Sequence, residues 1–319
     1  MRIARFACFL TGLAFVAPVL ADEVIGTKKP AVRKMPASKF LRITQDAKGQ
    51  PLAMETAIVR YQSGSGDKEL TVDLVSVVHF GERAYYDRLN VRFEDYDAVL
   101  YELVAPRGTR IPKGGRKATD NPLLLVQKIA TLVLDLDLQT ERIDYTPKNF
   151  IHADLSPNEI AEAIRKRGDD NLTLFLKIAA DLLSQQNRQA MKAAKQKVED
   201  ANFDILSLFT EPTGASKLKR LLAEQLAALE SPEGSLGATI NTILIRDRNK
   251  AAMEALHKEF NNGKKKIAIF YGAGHMPDFE RRLAADYGLR PVNTRWLTAW
   301  DLRLRERSME ELLLRLLAP

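Results

Sequence analysis

Two runs of alternating apolar and polar residues, Thr56 to Gln62 and Glu69 to Val78, flank the segment SGSGDK. A period of two predicts half-buried strands, and the Gly, Ser and Asp between them predict the turn of a β-hairpin. The period then lengthens. From Ala84 to Phe93 the apolar positions Tyr85, Leu89 and Phe93 form one stripe, which predicts a helix, and Asp97 to Leu103 (DAVLYEL) reads as a short buried strand. Strand, helix and strand within about thirty residues is the length of a crossover between parallel strands.

From Asn121 to Leu236 the pattern is helical. Ser156-Pro157-Asn158-Glu159 spells a capping box with proline at the first helical position, and Ser231-Pro232-Glu233 starts another helix in a similar way. Leu123 to Leu138 is apolar but is interrupted by Gln127, Lys128, Asp135 and Asp137, which favours a core helix over a membrane-spanning one. The alternation of helix and strand returns with a helix over Asn241–Phe260, a strand over Lys266–Tyr271, a helix from Pro277 and a last strand over Val292–Trp300. No repeat of solenoid length is present. The expected fold is α/β with some α+β character: a central mixed sheet, flanking helices, and a large helical insertion at about 121–236. A Leu-rich helix over Met309–Leu317 is expected to pack on this domain or on a second copy.

The ends of the chain change the picture of where the protein works. Arg2 and Arg5, the apolar run Phe6 to Val16 and the small-residue spacing Val19-Leu20-Ala21 predict a signal peptide over residues 1–21, cleaved before Asp22. The apolar stretch is shorter than the ~20 residues of a spanning helix, so no transmembrane anchor is expected after cleavage. Residues 22–51 read as a flexible basic linker, and 52–319 as the folded domain. The formal charge of +7 falls to +5 without Arg2 and Arg5, and its densest block lies in that linker. An exported, periplasmic or secreted chain rarely meets nucleic acid, so a solvated linker is favoured over a nucleic-acid contact. The single cysteine, Cys8, lies inside the signal, which excludes disulfides and thiolate chemistry from the mature chain.

The chemistry gathers at strand ends. His79 follows the second hairpin strand, and His275 follows the strand Lys266–Tyr271 after Gly272-Ala273-Gly274. In open α/β sheets the ligand crevice lies beyond the carboxyl ends of the strands, so two of the four histidines are expected to share one site. Glu102 closes DAVLYEL among apolar neighbours, and a buried carboxylate needs a cation, metal or proton beside it. GAGHMP is not a dinucleotide fingerprint, since Pro277 occupies the place of its third glycine, and SGSG lacks the spacing of a nucleophile elbow. His152 and Asp154, just before the capped helix, could reach the crevice when it closes, but a local structural role is favoured because Asp154 can serve the turn, and His257 is expected to be solvated.

Taken together these residues resemble the TraB/GumN family, related to the Tiki proteases and to erythromycin-esterase-like proteins. That family carries two Gly-x-x-His motifs, a glutamate closing the strand after the first, and an Arg-Asn pair on a helix before the second. Here YELV gives Glu102, IRDRN gives Arg248 and Asn249, and Gly272-Ala273-Gly274-His275 gives the second motif in full. The first motif departs from the pattern, because Ser76 stands where glycine is expected before His79. The resemblance runs from about Leu52 to Trp300.

It implies a hydrolase acting on a peptide or protein, with His79, Glu102 and His275 holding a divalent metal ion such as Mn, Co or Zn. Two neutral imidazoles and a carboxylate suit an ion that keeps one position open for water. Arg248 would stabilise an oxyanion or hold a substrate carboxylate. Two alternatives stay open: a metal-independent hydrolase with a histidine base oriented by Glu102, and a non-catalytic protein that sequesters a peptide or partner.

Overall fold

The computed structural model describes residues 39–63, 70–106, 108–115, 134–166, 211–229 and 245–306. The signal peptide, most of the linker, the SGSGDK turn after Ser63, the apolar run as far as residue 133, the helix start at Ser231 and the Leu-rich helix Met309–Leu317 lie outside them. In chain order the elements are β1 (Leu41–Gln45), β2 (Pro51–Gln62), β3 (Thr71–Val77), β4 (Phe80–Gly81), α1 (Arg83–Phe93), β5 (Ala98–Tyr101), β6 (Asp137–Leu138), α2 (Gln139–Arg142), β7 (Phe150–His152), α3 (Pro157–Lys166), α4 (Gly214–Leu229), α5 (Asp247–Asn261), β8 (Lys266–Gly272), α6 (Met276–Tyr287) and β9 (Arg290–Asp301).

The α/β expectation holds: a seven-stranded mixed sheet is flanked by helices. β3, β8, β5 and β7 lie side by side in that order, and every neighbouring pair among them is parallel. β2 joins β3 antiparallel, as the hairpin pattern predicted. β9 runs antiparallel along β2 from Ala53 to Gln62. Since β9 takes that edge, β1 and β3 share the other, β1 on Pro51–Thr56 and β3 on Ile58–Gln62.

Alternation along the parallel strands explains why their sequences are apolar throughout. Val75, Val77, Val99, Tyr101, Ala268 and Phe270 face one side, where α1 buries Tyr85, Tyr86, Leu89 and Phe93. Val72, Leu74, Ala98, Leu100, Ile267, Ile269 and Tyr271 face the other, beneath Leu256 of α5 and Met276, Phe279 and Leu283 of α6. A sheet covered on both faces needs apolar residues at every position. Each fully buried large side chain contributes about 1.5–3 kcal/mol. Asp73 departs from this rule, and Arg60 grips it with two hydrogen bonds of 2.8 and 2.9 Å while Tyr96 donates a third.

Three expectations are corrected. Leu41–Gln45, assigned to the flexible linker 22–51 on its charge, forms β1, because Phe40 and Leu41 bury in the core and LRITQ pairs with β2. The segment 121–236 is not wholly helical: β7 lies within it and adds a parallel strand beside β5, its three residues being too short to display a period. Asp137–Leu138, the end of the expected helix Leu123–Leu138, is β6 and pairs with β4. The capping box of α3 forms in full, with Ser156 N–H donating to Glu159 at 2.7 Å and Glu159 N–H to Ser156 Oγ at 3.2 Å.

Candidate active site at the strand ends

Four parallel strands bring their carboxyl ends to one edge of the sheet, and a polar residue follows each. β3 leads to His79, β5 to Glu102, β7 to Asp154 and β8 to His275. The first turn of α5 adds Arg248 and Asn249.

Glu102 and Arg248 meet directly. Arg248 Nη2 donates to Glu102 Oε1 at 2.6 Å and to Asp154 Oδ2 at 2.7 Å, and Arg248 Nε donates to Asp154 Oδ1 at 3.0 Å. Glu102 Oε2 accepts the Gly272 N–H at 2.7 Å. A Cβ on residue 272 would lie 3.3 Å from that oxygen, so glycine ends β8 because the carboxylate approaches the backbone there. Residue 274 has no described atom close to where a Cβ would stand and has an ordinary backbone conformation, so nothing among the described residues requires glycine there. Burial alone would raise the Glu102 carboxyl, but Arg248, then His275, His79 and the Gly272 N–H, outweigh it and hold the group well below the usual carboxylate range.

His275 is buried with its hydrogen placed. Asn249 Nδ2 donates to the His275 carbonyl and to Asp278 Oδ2, both at 3.0 Å, which leaves Asn249 Oδ1 as an acceptor for His275 Nδ1 at 2.6 Å. The ring therefore carries its hydrogen on Nδ1 and a lone pair on Nε2. Burial pushes the imidazole down to about 4 against the opposing pull of Glu102, so it is neutral near pH 7. Its Nε2 faces Glu102 Oε1 at 3.5 Å. Tyr271 packs its ring edge-on against His275, with centroids 5.2 Å apart, and donates its hydroxyl hydrogen to Ala153 O at 2.7 Å.

His79 stands apart from this cluster. It is exposed, and its Nδ1 bonds Gln139 Oε1 at 3.1 Å, although the ring is near enough to act electrostatically on both Glu102 and His275. Among the described residues no three His, Cys, Asp or Glu side chains converge into a complete metal cage. Two of the three expected ligands do suit an ion: donors about 2.1 Å from one tetrahedral centre stand about 3.4 Å apart, close to the separation of His275 Nε2 and Glu102 Oε1. The hydrogen bond from Nδ1 to an amide oxygen is also the usual orienting contact of a metal-bound histidine.

Arg248 falls differently from its sequence reading, while Asp154, His152 and His257 keep the local or solvated places expected of them. Arg248 is not a free cation reaching for substrate, because the buried Asp154 and the largely covered Glu102 occupy it. Asp154 does serve its turn, accepting the Leu155 N–H at 2.7 Å, but its larger part is to grip Arg248. His152 donates to Leu103 O at 2.6 Å and is structural, and His257 is exposed. Ser76 Oγ is buried with no hydrogen-bond partner among the described residues. Sequence reasoning missed Gln139 altogether, since a glutamine beyond an apolar run carries no spacing signal. The chain matches no protein-family model, no curated protein and no solved structure.

Proposed function

We propose that this chain is an exported hydrolase of the TraB/GumN type that cleaves a peptide or protein at a divalent ion held by His275 and Glu102, with His79, which stands apart from them here, as the third ligand that the resemblance implies. The observation that carries this reading is the 3.5 Å approach of a neutral imidazole lone pair to an ionised carboxylate. With no hydrogen between them, a lone pair and an anionic oxygen repel each other, and a cation between them turns repulsion into binding. Glu102, Asp154 and Arg248 together carry a net single negative charge beside the neutral ring, which favours a cation further.

The bound ion would lower the pKa of a water and polarise the scissile carbonyl. His275 binds through Nε2 because Asn249 keeps the hydrogen on Nδ1. Glu102 stays ionised and fixed because Arg248 and the Gly272 N–H hold one oxygen each. Arg248 thus acts through Glu102 and Asp154. A metal-free hydrolase with His275 as general base is the weaker reading, because a base pushed down to about 4 is far from the ideal near the working pH.

The test is hydrolysis of a peptide library by the mature protein, stripped with a chelator and reloaded with Mn, Co or Zn. Turnover should stop on stripping, return on reloading and be absent in His275→Ala. Turnover that survives stripping refutes the metal; tight peptide binding without cleavage in any loaded form leaves the sequestering protein.

A further inference from the structure

We infer that Gln139 is the positioning residue of His79, fixing its hydrogen on Nδ1 so that Nε2 is kept as a lone pair. The inference rests on reading His79 as a member of the site. It does not depend on which ion, if any, the site holds.

The two residues are 60 positions apart and are tied together twice. His79 Nδ1 bonds Gln139 Oε1 at 3.1 Å, and the Gln139 backbone N–H donates to the His79 carbonyl at 2.9 Å. The β4–β6 pairing, Phe80 with Leu138 and Gly81 with Asp137, joins the residues next to them. Exposure is reversed from what a surface histidine needs. Gln139 is 4% exposed while the ring it holds is open to solvent. A solvated imidazole gains no stability from a buried amide that water could replace, whereas burying the amide costs desolvation.

The amide has a second partner. Gln139 Nε2 donates to Tyr145 Oη at 3.0 Å, and in that orientation Oε1 faces His79 and can only accept. His79 must then carry its hydrogen on Nδ1, and Nε2 has no hydrogen-bond partner among the described residues. Asn249 does the same for His275, with its amide nitrogen anchored on two acceptors and its oxygen on Nδ1. Both rings of the proposed site are therefore set by a buried side-chain amide, each from an element outside the strand that delivers the histidine.

The experiment reads the His79 ring by long-range 1H–15N correlation spectra of metal-free, ring-labelled protein above pH 7.5. Wild type should show hydrogen on Nδ1. In Gln139→Leu, which keeps bulk and removes the acceptor, the signal should move toward the Nε2–H form that a free histidine favours. Gln139→Glu should restore the wild-type pattern. Tyr145→Phe frees the amide to turn over and should give a smaller shift in the same direction, which keeps the test available if Gln139→Leu folds poorly. In wild type that loads an ion, the affinity should fall about 10- to 100-fold in Gln139→Leu and recover in Gln139→Glu. A wild-type ring with hydrogen on Nε2, or a cooperatively folded Gln139→Leu with an unchanged ring, overturns the inference. If no variant and no wild type binds an ion, the metal reading fails, and the ring spectra still decide the role of Gln139.

Discussion

At Arg248 one guanidinium answers two carboxylates, Asp154 fully buried and Glu102 with only a tenth of its side chain exposed. Removing one partner of a buried pair strands the other charge, so Arg248→Ala should lower stability by about 3–5 kcal/mol in denaturant titrations. Arg248→Lys should recover only part of this, because an ammonium lacks the fork that reaches Glu102 and both oxygens of Asp154. An Arg248→Ala protein as stable as wild type would mean that the cluster is open to solvent. His275 gives a second expectation. Its folded pKa, about 4, lies below the ordinary 6.5, so the unfolded chain takes the proton first. Its contribution is fully present above pH 6.5 and declines toward pH 4, on the order of 3 kcal/mol. Metal-free protein should lose stability across that window, and His275→Gln should flatten the slope; equal slopes in the two would refute the buried neutral ring. Glu102 acts in a lower window: its depressed pKa adds stability above about pH 4.3 that is lost as the pH falls further. The need of Glu102 for a cation was legible in DAVLYEL, because a carboxylate among apolar residues demands one. That the cation would be Arg248, shared with Asp154, was not, since those residues meet only through folding.

Elements with a strong period were the legible ones. β2, β3, α1, α5, β8, α6 and β9 all fall where alternation or a helical stripe placed them, and strand-end histidines followed from the parallel order of β3, β8 and β5. β1 and β7 were not legible, for different reasons: charge masked the one, and three residues carry no period in the other. The departure at Ser76 is now a question about the β3–β8 ladder. Ser76 pairs with Tyr271 in parallel register, and its side chain lies on the Leu74 and Tyr271 face. Its hydroxyl is buried without a partner among the described residues, so Ser76→Ala should raise stability by about 1 kcal/mol. Ser76→Gly should recover little of that gain, because glycine inside a strand costs about 0.5–1 kcal/mol relative to alanine. A thermal melt comparing the three proteins checks the order, and a destabilised Ser76→Ala would show that the hydroxyl has a partner in solution.

Among the described residues a sheet covered on both faces carries Glu102, Asp154, Arg248, Asn249 and His275 at the carboxyl edge of its four parallel strands. α1 covers one face, and α5 and α6 the other, and the same helices that complete the core also bring Arg248, Asn249 and His275 to that edge. Core and site are therefore one construction, and His79 is the member added from outside it, through β4, β6 and Gln139. The central claim is that this edge holds a cation between His275 and Glu102. The most direct measurement is metal content by mass spectrometry after the stripped mature protein has been dialysed against Mn, Co or Zn and then against buffer. Wild type should retain about one ion per chain, and a cooperatively folded His275→Ala should retain none. A wild-type chain that emerges empty from all three, or a His275→Ala chain that loads as fully as wild type, contradicts the account.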